Sequence, residues 1–189
     1  MERLNPHPLN PPRPREPWFI RGRTAWTGIA PLALFIVSGV TASQSRWEIA
    51  GVALVFAGQM LRAWAAGCLL KNHELMTAGP FAWTRNPLYL GSGIIGLGYV
   101  LLSGVAWSLL PLLAAFTVIY LPTIRYEEAR LRELFGDRLN DYFARVPRFF
   151  PRWPGRPTLG PFRWTTLVRN REWEAALANT AGSLLFLLT

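Results

Sequence analysis

The sequence predicts an all-α integral membrane fold with four to five transmembrane helices. Three observations predict it. Several long apolar runs are separated by short polar turns. Of the 189 residues, 51% are hydrophobic and only 16% charged, against about a quarter in a soluble domain. The basic residues collect between alternate runs, as the positive-inside rule requires.

The remaining composition narrows the class. Aromatic residues make up 13% of the chain, which excludes disorder as the main state and suits membrane interfaces. A single cysteine excludes an internal disulfide framework. With two histidines beside it, a zinc or iron–sulfur centre is not expected, so no metal is assigned. The net charge of +9 comes almost wholly from arginine, Lys71 being the one lysine. Such a balance also suits nucleic acid. Here the arginines lie between apolar runs, so anionic headgroups are the expected partner and nucleic acid is not.

Residues 1–23 form a Pro/Arg-rich arm, too rich in proline for helix, and expected in the cytosol. No signal-peptide pattern is present there. Residues 24–70 read as a two-helix membrane hairpin. Its first run is Thr24 to Ala42 and its second Ile49 to Leu70, with a polar link between. The second run carries Gln59 and Arg62 on one helical face. A charge in hydrocarbon is costly, so Arg62 either snorkels to the headgroups or pairs with an acid or a bound anion. Gln59 and Arg62 are the substrate-side candidates.

Residues 71–151 read as the core of the molecule. A polar segment, 71–87, leads into a glycine-rich run from Leu88 to Leu102. Pro87 suits the first turn of that helix. A fourth run extends from Val105 to Leu121, with Pro122 placed to kink its end. Residues 123–145 then read as one amphipathic helix, with Ile124, Leu131, Leu134, Phe135 and Leu139 at helical spacing. In 152–189, a Pro/Arg/aromatic linker precedes a short apolar helix, Trp173 to Leu188, capped by Asn170 and by Glu172 and Glu174 near its start. That helix is either a thin fifth span or interfacial. Arginine counting places the N-terminus, the 71–87 segment and 123–171 on the cytoplasmic side.

Two polar concentrations fall at this cytoplasmic rim, the 71–87 segment and the pair Glu127-Glu128. A cofactor there could place a carboxylate on Arg85 and its ribose or amine on the carboxylates. The simpler alternative is that both acids pair with neighbouring arginines. Gly91, Gly93 and Gly96 spell GxGxxG, but inside an apolar run and not after a strand, which excludes a soluble dinucleotide fold. Such glycines let a helix or a flat ligand approach the backbone.

The motifs in order are Gly58-Gln-Met-Leu-Arg62, then His73-x-Leu75-x-Thr77-x-Gly79-x-Phe81-Ala82-Trp83, then Arg85-Asn86-Pro87-Leu88-Tyr89-Leu90-Gly91. Glu127-Glu128, Leu131, Phe135-Gly136, Tyr142 and Val146-Pro147 follow. Over roughly residues 58–151 this resembles the isoprenylcysteine carboxyl methyltransferase family, and it is similar to the related phospholipid N-methyltransferases. The resemblance implies an integral membrane methyltransferase with S-adenosyl-L-methionine as cofactor and a lipid or lipidated acceptor; the excess of arginine over lysine points to a bacterial genome, and so to a bacterial inner membrane. The resemblance also implies a cofactor pocket at the cytoplasmic rim, with Arg85 and Glu128 in catalytic roles. His73, Leu75, Gly79, Phe81, Arg85, Asn86, Pro87, Tyr89, Gly91, Gly93, Glu127 and Glu128 would bind the cofactor. Asn86 stands where the family has histidine; it can hydrogen-bond a carboxylate but cannot carry positive charge. The alternatives are a phospholipid-amine N-methyltransferase and an NADPH-dependent membrane reductase.

Overall fold

The computed structural model describes residues 47–69, 75–153 and 159–188. The arm 1–23, the first apolar run and His73 lie outside the described residues. The described residues are helical throughout their regular structure, without strands.

The first described helix, α1, is Glu48–Cys68. It runs antiparallel to α2, Pro87–Ser103. The two cross closely because glycines face each other. A Cβ on Gly58 would lie 2.7 Å from the Gly91 carbonyl, and one on Gly98 would lie 2.7 Å from the Gly51 carbonyl. Gly51 and Gly58 are about two turns apart, as are Gly91 and Gly98, so each pair lies on one face. In lipid, helix association relies on this kind of close backbone packing. Val55, Ile95, Tyr99 and Leu102 fill the space alongside.

The α2 helix ends where Gly104 takes a left-handed conformation, φ 65°, and donates to the Leu101 carbonyl at 3.1 Å. The chain then enters α3, Ala106–Phe135, a continuous helix. This differs from the expected division into an apolar run and a separate amphipathic helix over 123–145. Pro122 does not end the helix, because the turn before it, Phe116–Tyr120, is π-helical. The wider turn accommodates the missing N–H and the ring, and the Thr123 hydroxyl donates to the Ile119 carbonyl at 2.7 Å. The break comes instead at Gly136, with φ 51° and ψ −131°, after which α4 spans Asp137–Arg145.

Segment 159–163 crosses the end of α1. The Trp64 indole donates to the Leu159 carbonyl at 2.7 Å, and the Arg163 amide donates to the Gly67 carbonyl at 3.0 Å. Two further helices follow, α5 at Trp164–Arg169 and α6 at Glu172–Leu187. Asn170 does not cap α6. Its side chain donates to the carbonyls of Ala66 and Leu69 at 2.8 and 3.1 Å, and so closes the end of α1.

Among the described residues, α1 and α3 are long and apolar enough to cross a membrane, which is fewer than the four to five helices expected. Helix α2 is apolar but has 17 residues, about 25 Å of helix against a hydrocarbon core of about 30 Å. Helix α6 has 16 residues and carries two acids in its first turn. Large apolar side chains on the outer faces of α1 and α3, including Ile49, Phe56, Leu110 and Val118, are exposed. Lipid is the solvent that suits such faces.

Candidate functional site

The site is assembled at the start of α2. Segment 79–87 approaches it through a 3-10 turn at Gly79–Ala82. A strap, residues 146–152, holds this segment in place from the other side. The Arg85 amide donates to the Pro147 carbonyl at 2.9 Å, and the Arg152 amide donates to the Trp83 carbonyl at 3.0 Å. Thr84 Oγ1 and Asn86 Nδ2 both donate to the Arg148 carbonyl, at 3.0 and 3.2 Å. Asn86 therefore does not cap α2 with its side chain, although it stands at the N-cap. The Tyr142 hydroxyl on α4 donates to the Phe81 carbonyl at 2.7 Å, tying the same segment to a third element.

At the centre lies Glu128 of α3, 5% exposed. Arg148 holds both of its oxygens, Nε to Oε1 at 3.1 Å and Nη2 to Oε2 at 2.5 Å. Arg85 approaches from the loop side, with Nη1 3.4 Å from Oε1. Two guanidinium groups on one carboxylate leave the cluster with an excess positive charge. The Arg85 guanidinium also lies over the Phe143 ring, 4.2 Å from its centre. Its Nε is buried with no hydrogen-bond partner, as is the indole nitrogen of Trp83. Burial lowers the pKa of Arg85, while Glu128 opposes the shift. The hydrogen bonds that Arg148 donates to Glu128 raise its own pKa.

Next to this cluster, the Tyr89 hydroxyl donates to Glu127 Oε2 at 3.1 Å. The Tyr89 ring meets Tyr120 edge-on at 5.5 Å, and Phe116 and Phe149 extend the aromatic wall. The structure thus brings Arg85, Asn86, Pro87, Tyr89, Glu127 and Glu128 to one place.

Of the other candidates, Gly93 borders the aromatic wall at Phe116 and the rest face other parts of the fold. Gly79 and Phe81 face the end of α1 and segment 159–160: an added Cβ on Gly79 would meet the Leu159 carbonyl at 2.9 Å, and Phe81 packs with Ala65, Cys68 and Met76. Leu75 is half-buried just before that segment. Gly91 faces α1 and Gly93 faces the Phe116 ring of α3. Arg62 neither snorkels nor reaches the Glu128 cluster. Its Nε and Nη2 pair with both oxygens of Glu172 on α6, at 2.7 and 3.0 Å. Gln59 donates to the same carboxylate at 3.2 Å. Glu172, read from the sequence as a helix cap, is the buried counter-ion of Arg62. Arg148 belongs to the site and has no distinguishing signal in the sequence beyond its place after Val146-Pro147.

The donor set suits a zwitterionic cofactor such as S-adenosylmethionine. The unpartnered Arg85 Nε suits a carboxylate, the Glu127 and Glu128 oxygens suit hydroxyl or ammonium groups, and the aromatic faces suit a sulfonium.

Three curated relatives resemble the chain. The cobalt-zinc-cadmium resistance protein CzcN of Cupriavidus metallidurans is 33% identical over 62% of this chain and 59% of its own length. The nickel-cobalt-cadmium resistance protein NccN of Alcaligenes xylosoxydans xylosoxydans is 40% identical over 43% of this chain and 38% of its own. The protein-S-isoprenylcysteine O-methyltransferase of Schizosaccharomyces pombe is 35% identical over 52% of this chain and 42% of its own. The chain therefore spans about two fifths to three fifths of the curated relatives it matches. No solved structure matches it. The phospholipid methyltransferase family matches residues 26–138, most of the chain. That stretch encloses Arg85 and Glu128, on the two sides of the rim cluster, and the isoprenylcysteine relative agrees with it: the chain belongs to the phospholipid methyltransferase family, related to the isoprenylcysteine carboxyl methyltransferases.

Proposed function

We propose that the chain is an integral membrane methyltransferase that uses S-adenosylmethionine to methylate a lipidic acceptor of the isoprenylcysteine-carboxylate kind. The observation that carries this reading is the half-buried Arg85 guanidinium, paired with Glu128 yet with its buried Nε unpartnered, inside the stretch that matches the family. When bound, S-adenosylmethionine supplies an electrophilic methyl group on a sulfonium.

Arg85 would hold the carboxylate end of the cofactor, its plane kept in place by Glu128 and the Phe143 ring. Glu128 would keep the fork in orientation and offer an oxygen to a hydroxyl or ammonium group once Arg148 yields one. Glu127 and Tyr89 would act as a second hydrogen-bonding pair at the same rim. The aromatic wall of Tyr89, Tyr120 and Phe116 would exclude water and favour positive charge. Methyl transfer asks for little acid–base work, so positioning and electrostatics are the main contributions of these residues. The arginine-rich rim would face the cytoplasm of a bacterial inner membrane, where a soluble cofactor and a lipid acceptor can meet.

Calorimetric titration of the purified full chain with S-adenosylmethionine tests the reading. Saturable binding is expected, with strong loss in Arg85→Ala and substantial loss in Arg85→Lys, because lysine keeps the charge but not the planar fork. Equal affinity of wild type and Arg85→Lys would mean that Arg85 serves lipid headgroups instead. Methylation of a lipid extract with labelled cofactor then identifies the acceptor: a base-labile methyl ester supports the carboxylate, and a stable methylamine assigns an amine.

A further inference from the structure

A second polar centre lies inside the bundle, beside the first two turns of α2. Arg62 is 6% exposed and Glu172 4% exposed. The pair is fully connected. Both Glu172 oxygens accept from Arg62, and Oε1 also accepts from Gln59. The remaining terminal nitrogen of Arg62 donates to Ser92 Oγ at 2.5 Å and to the Leu88 carbonyl at 3.4 Å. The aliphatic part of Arg62 crosses Gly91 so closely that an added Cβ there would lie 2.6 Å from Arg62 Cγ. Below this level, Gln59 Oε1 accepts from Asn179 at 2.8 Å, and the Asn179 carbonyl accepts from Tyr99 at 2.9 Å.

The three groups that Arg62 grips, Leu88, Ser92 and the backbone at Gly91, form the first two turns of α2. Tyr89 stands among them and reaches Glu127 and Tyr120, and Ser92 hydrogen-bonds the same Tyr120. The rotation of α2 about its own axis therefore sets where the Tyr89 hydroxyl falls. Arg62 fixes that rotation, and Glu172 fixes Arg62 by holding two of its three nitrogens.

We infer that Glu172, acting through Arg62, is a positioning residue for the rim site, so that the C-terminal helix α6 adjusts cofactor affinity without touching the cofactor. The inference rests on the function proposed above. A purely architectural ion pair would hold α6 to the bundle and leave the affinity of folded molecules unchanged. A positioning pair changes that affinity.

Calorimetric titration of the detergent-solubilised full chain with S-adenosylmethionine, well below its unfolding temperature, separates the two, because unfolding lowers the stoichiometry whereas misplacement raises Kd. Glu172→Gln is expected to raise Kd about three- to tenfold, the equivalent of one hydrogen bond, at unchanged stoichiometry, and Glu172→Asp is expected to recover part of the loss. Asn179→Ala removes the amide donated to Gln59 but keeps both Arg62–Glu172 contacts and the Arg62 contacts with α2, and is expected to lower Tm at wild-type Kd. Should Glu172→Gln not fold, Arg62→Lys keeps a charge opposite Glu172 but loses the fork that also reaches Ser92 and Leu88, and the same rise in Kd is expected. Wild-type Kd in Glu172→Gln, or in Arg62→Lys where that variant replaces it, overturns the positioning role. Absence of binding by the wild type overturns the proposed function and this inference with it.

Discussion

Glu128 and Arg148 form a two-point ion pair, with Nε to Oε1 at 3.1 Å and Nη2 to Oε2 at 2.5 Å, between the charged end of α3 and the strap that follows α4. The two partners are not equivalent, because the Glu128 side chain is 7% exposed and that of Arg148 39%. Removing Glu128 takes the counter-ion from the half-buried Arg85 and from Arg148 together, whereas removing Arg148 leaves Glu128 with Arg85 and admits water.

Glu128→Ala is therefore expected to destabilise by about 1–3 kcal/mol, the loss of charged hydrogen bonds to a buried carboxylate whose partners keep some access to water. Arg148→Ala is expected to cost about 1 kcal/mol, since exposure screens its contribution. Denaturant unfolding in detergent checks the ratio. Equal losses would mean that the pair contributes symmetrically and that Arg85 does not depend on Glu128.

Gly91 is expected to tolerate no side chain. A Cβ there would lie 2.6 Å from Arg62 Cγ and 2.8 Å from the Gly58 carbonyl, and backbone cannot give way cheaply. Overpacking of this kind costs about 1–3 kcal/mol. Gly93→Ala meets only the Phe116 ring at 3.2 Å, so a smaller loss is expected. Comparing the Tm of the two variants tests whether the first glycine serves the α1–α2 crossing.

Tyr142 should give the fold an alkaline limit. Burial pushes its phenol above the ordinary value, and its hydroxyl donates to the Phe81 carbonyl. The protonated form thus favours the folded state. Its contribution is complete below about pH 10, where tyrosine in the unfolded chain ionises, and declines as pH rises toward the folded group's higher pKa. Tyr142→Phe is expected to lose about 0.5–1.5 kcal/mol at neutral pH and to flatten the alkaline decline. A decline equally steep in Tyr142→Phe would assign it to another group.

Membrane orientation can be read with the one native cysteine replaced. In a Cys68→Ser background, Ala106→Cys at the start of α3 is expected to react with an impermeant thiol reagent from outside intact cells. Arg152→Cys on the strap is expected to react only after permeabilisation. The reverse pattern would invert the arginine-based orientation.

The sequence by itself determined the elements whose cause is local. Pro87 opens α2 and Gly104 closes it, close to the limits that the hydropathy of 88–102 implies, because proline and glycine act through backbone geometry alone. The order of short motifs likewise identified the family, since those residues recur at readable spacing. Tertiary structure alone decided what each charge is for. Arg62 and Glu172 are 110 residues apart, and Glu128 and Arg148 belong to separate elements, so no period in the chain relates them. The continuity of α3 past Pro122 was hidden for a similar reason. Proline normally stops a helix, and only the π-turn at Phe116–Tyr120, packed through Phe116 and Tyr120 against Tyr89 and Phe149, lets this one continue to carry Glu127 and Glu128 to the rim.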